Sequence, residues 1–298
     1  MTAGRSRAAR RAPDLVVVGA GVAGLTAALT AAEAGARVLV VARERPSASP
    51  SALAQGGVAA ATEPDDASDL HAADTEAAGR DLCRPSAVAV LVEEAPARVA
   101  ELRRLGVPFD PEPGLEGGHR RRRIHHVGGA DTGAAIVAIL AQAVERHPAI
   151  EVAVGERVVD LRPGEGIVTD RREIACSAIL LATGGYAALW ARSTHPTSSV
   201  GDGLLLAHRA GAFLADLELV QFHPTVLVEA SLLLSEALRG AGARLVDEQG
   251  ERFVDELAPR DVVARAIADR GSARLDLRSV RRERFAGLME RLEAAGFD

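Results

Sequence analysis

Two groups of residues in this 298-residue chain have types and spacings that could do chemistry. The first is VVVGAGVAGL at 16–25, where Gly19, Gly21 and Gly24 follow an apolar run. Such glycines let a dinucleotide pyrophosphate approach a tight turn, and the N-terminus of the next helix favours its negative charge. The pattern predicts a dinucleotide site. A purely structural glycine turn is the alternative, because the pattern alone is common.

The second group lies in the last third of the chain. His223 occurs in QFHPT, Glu236 and Arg239 occur in SEALRG, and Arg260 occurs in LAPRD. An oxidoreductase acting on a carboxylate needs a cation to bind that carboxylate and a group that moves a proton. The ordinary alternatives are a turn histidine and salt-bridged surface groups, and spacing alone does not decide between them.

The elements around the glycine loop support the dinucleotide interpretation. We expect a buried parallel strand at Leu15–Val18, a helix at Val22–Glu33 and a second strand at Arg37–Val41. These complete a βαβ unit within about 30 residues, as the motif requires. A further buried strand, Ala178–Ala182, is followed by a glycine turn. Such a turn at the carboxyl edge of a sheet is where α/β proteins place ligands.

The remaining segments predict helices and short strands. Residues 68–105 read as helical, with Ser86 as an N-cap, Pro96 as a break or kink and Gly106 as the end. Other predicted features are a helix at 133–146, a β-meander within 151–185, a helix near 201–212, a hairpin around Gln249-Gly250 and a last helix that stops at Gly296.

Composition and charge exclude several classes of protein. A net charge of −6 argues against nucleic acid as a partner, and no apolar stretch approaches the ~20 residues of a membrane helix. Cys83 and Cys176 stand alone, which predicts a reducing cytoplasm and no metal framework. The side chains of the neighbouring His125 and His126 would diverge on regular structure, so a shared metal is not expected. We interpret Arg120–Arg123 as a solvated run of charges and residues 1–13 as a basic tail.

Nine motifs occur in an order that resembles one flavoprotein family. They are VVVGAGVAGL, ALAQGGVAA, HAADTEAAGRDL, EGGHRRRRIHH, ILLATGG, GDGLLLAHRAGA, QFHPT, SEALRGAGARL and LAPRDVVARAI. The family includes L-aspartate oxidase and the flavoprotein subunits of fumarate reductase and succinate dehydrogenase, and the match is closest to the L-aspartate oxidases. The resemblance implies an α/β fold: a Rossmann-like FAD-binding domain with a small β-meander at 14–223, and an inserted, incomplete α+β capping domain at 224–298.

The resemblance also assigns roles to individual residues. The expected FAD contacts are Gly19, Gly21, Gly24, Arg43, Ala54, Gln55, Gly56, Gly57, Thr183, Gly184 and Asp202. The expected substrate contacts are His223, Thr225, Ser235 and Glu116, of which Glu116 would face the substrate amino group. Arg260 would transfer a proton with Glu236 nearby. Arginine is charged in solution, so this role requires a flanking carboxylate and the exclusion of water.

The implied reaction is oxidation of L-aspartate, or another C4 dicarboxylate, with hydride transfer to flavin N5 and reoxidation by oxygen or fumarate. Iminoaspartate would then pass toward quinolinate synthase and NAD biosynthesis. Pro50 stands where membrane-bound members carry a histidine linked to FAD, so non-covalent FAD is expected. Family members continue with an HY-x-x-GG segment and a helical domain, so we expect an N-terminal part of such an enzyme. A soluble fumarate reductase-like protein and a catalytically silent flavin-binding fragment are the alternatives.

Overall fold

The computed structural model describes residues 12–230 and 232–297. Residues 1–11 of the predicted basic tail lie outside the described residues. In these residues the helices are α1 (Val22–Glu33), α2 (Pro50–Leu53), α3 (Ser68–Ala78), α4 (Pro85–Leu105), α5 (Thr132–Arg146), α6 (Asp202–Arg209), α7 (Glu236–Gly240), α8 (Arg260–Arg270) and α9 (Ala286–Ala294). The strands are β1 (Leu15–Val18), β2 (Val38–Ala42), β3 (Val58–Ala59), β4 (Ile124–His125), β5 (Ile150–Val154), β6 (Val158–Arg162), β7 (Gly166–Thr169), β8 (Glu173–Ala175), β9 (Ala178–Leu181), β10 (Val226–Leu227), β11 (Leu232–Leu233), β12 (Arg244–Val246) and β13 (Arg274–Asp276).

Contacts divide the chain into two compact units, each assembled from separate stretches of sequence. The first unit contains the described residues up to Pro50, Leu140–Ala191 and His195–Glu218. The second contains Ser51–Ile139, Arg192–Thr194 and the described residues from Leu219 onward. A domain boundary between residues 223 and 224 stays a prediction. No helix among the described residues is both long and apolar enough to cross a membrane.

The first unit is built on a parallel sheet with strand order β5-β2-β1-β9. Apolar β-branched residues fill its centre, where Val16, Val17, Val40 and Val41 have no exposed surface. The predicted bounds of β1 and α1 are confirmed. The strand predicted at Ala178–Ala182 is present as β9, but the prediction that it is buried is wrong: β9 lies at the sheet edge, and Leu181 at its end is 37% exposed.

The predicted meander is confirmed as the antiparallel sheet β6-β7-β8. Its apolar face packs on the parallel sheet in one core. The core residues are Val16, Val18, Leu39 and Val41 from the parallel strands, Val158, Ile167 and Ile174 from the meander, and Cys176 and Leu206. Burying Cys176 here raises the pKa of its thiol, which fits a packing role.

The second unit has a core centred on α7 and α9, with Leu238, Phe285 and Leu288 almost fully buried. In its helix α4, Pro85 opens the helix after Arg84, so the expected N-cap at Ser86 is wrong. The helix continues through Pro96, so the expected break there is wrong as well, whereas a kink at Pro96 stays a prediction. Packing of the apolar face of α4 outweighs the local cost of that proline.

The predicted hairpin around Gln249-Gly250 is confirmed as a short antiparallel turn that does not extend into a longer ladder. β12 pairs with the distant β13, and only a single bridge joins Val246 to Arg252. The main-chain N–H of Asp247 donates to the oxygen of Glu251 across the turn, and the Asp247 carboxylate accepts hydrogen bonds from the main-chain N–H groups of Gln249 and Glu251.

Candidate functional site

The glycine loop between β1 and α1 has the close packing that its sequence predicts. Gly19 has a φ of +113°, and a Cβ there would lie 2.2 Å from the carbonyl oxygen of Ala182. A Cβ on Gly24 would lie 2.0 Å from the carbonyl oxygen of Gly19. Gly21 is the N-cap of α1, with no capping side chain and no acidic residue in the first turn. This helix N-terminus therefore suits an anionic ligand.

Two other predicted cofactor residues come together after β2. Arg43 Nη1 lies 3.1 Å from Asp202 Oδ2 at the start of α6. A second guanidinium nitrogen of Arg43 donates to the main-chain oxygen of Ser198. Thr183 packs tightly against α6, because a Cβ on Gly203 would lie 1.9 Å from Thr183 Oγ1. Arg43 and Asp202 thus form an ion pair at the start of α6, and Thr183 packs against the same helix.

The segment Ala54–Gly57 belongs to the second unit and forms a compact loop. The main-chain oxygen of Ala54 accepts a hydrogen bond from the N–H of Gly133, and a Cβ on Gly57 would lie 2.6 Å from the main-chain oxygen of His125. Gln55 is buried, and no donor among the described residues reaches its Oε1. The loop therefore presents close backbone and one orphaned buried acceptor, which is what a polar ring ligand requires.

The candidate substrate residues centre on the Glu236 carboxylate. Arg260 binds it in a bidentate manner, with Nε 3.1 Å from Oε1 and Nη2 3.0 Å from Oε2. Arg239, fully buried, places Nη2 2.8 Å from Oε1. Burial alone would raise the pKa of Glu236, but the hydrogen bonds and charge of Arg260, with the charge of Arg239, hold that pKa below its usual range. Glu236 is thus a buried, ionised anchor for two cations.

His223 stands beside this cluster as a neutral imidazole. Burial, together with the nearby positive charge of Arg260, lowers the pKa of His223 to about 4. Its Nδ1 lies 3.0 Å from the main-chain oxygen and 3.2 Å from the main-chain nitrogen of Thr225. Thr225 itself is fixed by a 2.7 Å hydrogen bond from Oγ1 to the oxygen of Leu234. Ser235, which follows Leu234, has a buried Oγ that makes no hydrogen bond to any described residue.

Glu116 lies in the same unit, close to this cluster. His126 Nε2 is 2.8 Å from Glu116 Oε1. A Cβ on the adjacent Gly117 would lie 3.3 Å from Glu236 Oε1, so the backbone that carries Glu116 passes close to the Glu236 carboxylate. The structure therefore brings together Glu116, Glu236 and the two arginines, although none of them is near Glu116 in sequence.

Sequence reasoning missed two residues that contact this cluster. Gln221 accepts a hydrogen bond through Oε1 from Arg260 Nη1, and His126 holds Glu116. The signal for both was present, since Gln221 opens QFHPT and His126 closes EGGHRRRRIHH. The interpretation of Arg120–Arg123 as a solvated run is wrong for Arg123, whose side chain is fully buried between Asp66 and Asp74.

The parallel sheet and the glycine loop before α1 define a dinucleotide-binding protein. The chain belongs to the FAD binding domain family, whose sequence model matches residues 14–280. The residues fit the cofactor, because the α1 N-terminus is uncapped by any side chain and the buried Gln55 lacks a partner among the described residues. FAD is therefore the cofactor that this family membership assigns to the chain.

Curated relatives agree with this membership. The chain is 45% identical over 278 residues to the L-aspartate oxidase of Agrobacterium fabrum, covering 85% of this chain and 52% of that protein. It is also 45% identical to the L-aspartate oxidase of Streptomyces coelicolor, covering 87% of this chain and 50% of that protein. The chain thus spans about half the length of the curated relatives it matches.

Solved structures of fumarate reductases have the same fold. A mutant E. coli quinol fumarate reductase FrdA superposes with a TM-score of 0.84 at 29% identity, covering 94% of this chain and 55% of that chain. The open conformation of a flavocytochrome c3 fumarate reductase gives a TM-score of 0.71 at 31% identity, covering 87% of this chain and 51% of that chain.

Proposed function

We propose that this chain carries the FAD-binding and substrate-binding residues of a cytoplasmic L-aspartate oxidase. The reaction is oxidation of L-aspartate to iminoaspartate, with oxygen or fumarate as the final acceptor, and the product passes to quinolinate synthase in NAD biosynthesis. One observation carries the proposal: two arginines converge on the buried carboxylate of Glu236 beside a neutral histidine. The L-aspartate oxidase relatives supply the substrate.

The charges of the cluster complement the charges of L-aspartate. Arg260 keeps 36% of its side chain exposed and so can bind a substrate carboxylate while Glu236 fixes its orientation. When His223 Nδ1 accepts from the Thr225 N–H, the imidazole proton lies on Nε2, which then donates to a carboxylate oxygen. Glu116 supplies negative charge for the substrate ammonium, and the Ser235 hydroxyl supplies a further donor.

The same residues hold the proton that the reaction releases. Arg260 gives one of its protons to the ionised Glu236, along the two hydrogen bonds that join them, as it takes up the proton that the substrate releases, so the guanidinium keeps its charge. When bound, FAD would supply the acceptor for the hydride that the substrate loses. The residues that would hold it without a covalent link are those that the family motifs assign to FAD: Gly19, Gly21, Gly24, Arg43, Asp202, Ala54–Gly57, Thr183 and Gly184.

Anaerobic reduction of the flavin distinguishes this proposal from its alternatives. The purified chain is loaded with FAD, and its visible flavin absorbance is followed after addition of L-aspartate, succinate or buffer. Bleaching by L-aspartate alone supports the proposal. Flavin that ignores L-aspartate but is reoxidised by fumarate after chemical reduction indicates a fumarate reductase-like protein, and flavin that responds to neither indicates a silent flavin-binding chain.

Arg260→Leu is expected to abolish bleaching by L-aspartate while the flavin stays bound. The variant removes both the substrate cation and the proton path, yet leaves every predicted FAD contact in place. Arg265→Leu is the matched control, since Arg265 is an exposed arginine on the same helix, α8. Loss of flavin from Arg260→Leu, or unchanged bleaching, contradicts the role assigned to Arg260.

A further inference from the structure

The Glu116–His126 pair has features that the proposed reaction does not by itself require. Glu116 is largely buried, and its Oε1 lies 2.8 Å from Nε2 of the fully buried His126. Among the described residues no donor reaches the second carboxylate oxygen, Oε2. His126 Nδ1 is also buried, and it has no hydrogen-bond partner in that part of the chain. The imidazole therefore makes one side-chain hydrogen bond, and that bond is to Glu116.

The backbone packs closely around the His126 ring and the loop that carries Glu116. Gly114 and Ile124 form an antiparallel bridge that brings the two ends of the loop together. A Cβ on Gly114 would lie 2.7 Å from His126 Cε1, so the imidazole rests directly on the backbone. A Cβ on Gly240 would lie 1.7 Å from the main-chain oxygen of Leu115, which fixes the loop against α7.

The pair also faces the proposed substrate cluster. A Cβ on Gly56 would lie 3.9 Å from both carboxylate oxygens of Glu116, so the carboxylate lies next to the Ala54–Gly57 loop. The negative charge of Glu116 also acts on Arg239, the buried partner of Glu236. A substrate whose carboxylates bind Arg260 and His223 would thus have its α-amino group within reach of the Glu116 carboxylate.

We propose that His126 is a positioning residue that sets substrate specificity. By donating from Nε2 to Oε1, it orients Glu116 so that the unpartnered Oε2 accepts from the α-ammonium group of the substrate. This selects an α-amino dicarboxylate over the same dicarboxylate without the amino group. The inference rests on the proposed function, because it takes the Glu236 cluster as the place where the carboxylates bind.

Three substitutions of His126 separate positioning from packing. His126→Gln keeps an N–H donor near the place of Nε2, His126→Asn moves the amide to the place of Nδ1, and His126→Leu removes the donor. His208→Leu on the exposed surface of α6 is the control for the change of residue type. For each FAD-loaded protein, kcat and KM are measured with L-aspartate, and succinate affinity is measured as a perturbation of the flavin spectrum.

We expect His126→Leu and His126→Asn to raise KM for L-aspartate on the order of ten- to a hundredfold, the loss typical of one charge-assisted hydrogen bond. The affinity for succinate should stay unchanged in these variants. His126→Gln should keep the KM for L-aspartate close to that of the wild type. Glu116→Gln combined with His126→Leu should raise this KM no more than either substitution alone. A loss shared equally by both ligands, no restoration by glutamine, or additive losses overturns the inference.

The two hypotheses fail in different ways. If the wild-type chain oxidises L-aspartate and His126→Leu behaves like the wild type, the inference alone is wrong. If the wild-type chain neither binds nor oxidises L-aspartate, the proposed function is wrong and the inference falls with it.

Discussion

At the residue scale, the candidate site depends on groups whose charges are set by their neighbours. Glu236 keeps its charge while buried because two guanidinium groups hydrogen-bond to it. Arg239 stands three residues later on the same short helix, a spacing that sequence alone shows to be adjacent. Arg260 is 24 residues away from Glu236, and only the fold reveals that contact.

His223 should make the stability of the protein depend on pH in a defined window. Its pKa of about 4 lies below the value of about 6.5 expected for the unfolded chain, so the unfolded state binds the proton first. The neutral folded form is thus favoured above about pH 6.5, and stability falls as pH drops toward 4, by up to about 3 kcal/mol. The charges facing the imidazole are those of Arg260, Glu236 and Arg239.

Urea denaturation between about pH 7 and pH 4 tests this window, with His223→Gln as the variant that cannot titrate. The free energy of unfolding of the wild type should fall more steeply than that of the variant. His208→Gln, on the exposed surface of α6, is the control and should follow the wild type. Parallel curves for wild type and His223→Gln contradict the assigned pKa.

At the element scale, a buried ion network ties α3 to the loop before β4. Arg123 has no exposed side-chain surface and contacts Asp66 at 2.7 Å and Asp74 at 2.6 Å. Asp74 also binds Arg120. These acids precede Arg123 by 57 and 49 residues, so a run of four arginines looked solvated when only its local sequence was considered.

Arg123→Met is expected to lower the free energy of unfolding by about 3–5 kcal/mol, because it leaves the buried Asp66 carboxylate without its arginine and Asp74 with the mostly exposed Arg120 alone. Arg121→Met, which removes a mostly exposed arginine 3.7 Å from Asp65, should change it by less than about 0.5 kcal/mol. Urea titrations measure both. Equal effects would show that the network does not anchor α3.

The same substitution should also change the response to acid. The hydrogen bonds from Arg123 lead the causes that hold the pKa of Asp66 below its ordinary value. For Asp74, burial opposes and the hydrogen bonds of Arg120 and Arg123 prevail, so its pKa is lowered as well. The two carboxylates contribute fully to the free energy of unfolding above the ordinary carboxyl pKa, and this contribution is lost as pH falls below it. Arg123→Met should therefore make the free energy of unfolding fall less steeply in acid.

The β1–α1 loop allows a test that separates strain from steric overlap. Gly19 and Gly35 both have positive φ, but only a Cβ at Gly19 meets backbone, whereas Gly35 faces open space. Gly35→Ala should cost about 1–2 kcal/mol for the left-handed conformation. Gly19→Ala should cost about 1–3 kcal/mol more for the overlap with Ala182 and should also weaken flavin retention. Thermal unfolding and flavin absorbance measure both, and equal losses would contradict the overlap.

At the scale of the whole molecule, periodicity predicted the parallel βαβ unit because its signals are local: an apolar strand, a glycine turn and an alanine-rich helix. The edge position of β9 and the pairing of β12 with β13 depend on residues far apart in sequence. The same limit applies to the site. The residue types were visible in the motifs, whereas the convergence of Glu116, Glu236 and Arg260 in one unit required the fold.

The last prediction concerns how the whole protein holds its cofactor. Pro50 begins α2, and its ring carries no nucleophilic atom that could attach to a flavin. Denaturing the FAD-loaded chain with acid should therefore release all the flavin into the supernatant, and the precipitate should be colourless. Refolded protein mixed with fresh FAD should regain the same spectrum, which controls for damage to the chain. Flavin that stays with the precipitate through repeated washing in denaturant would show a covalent link through some other residue.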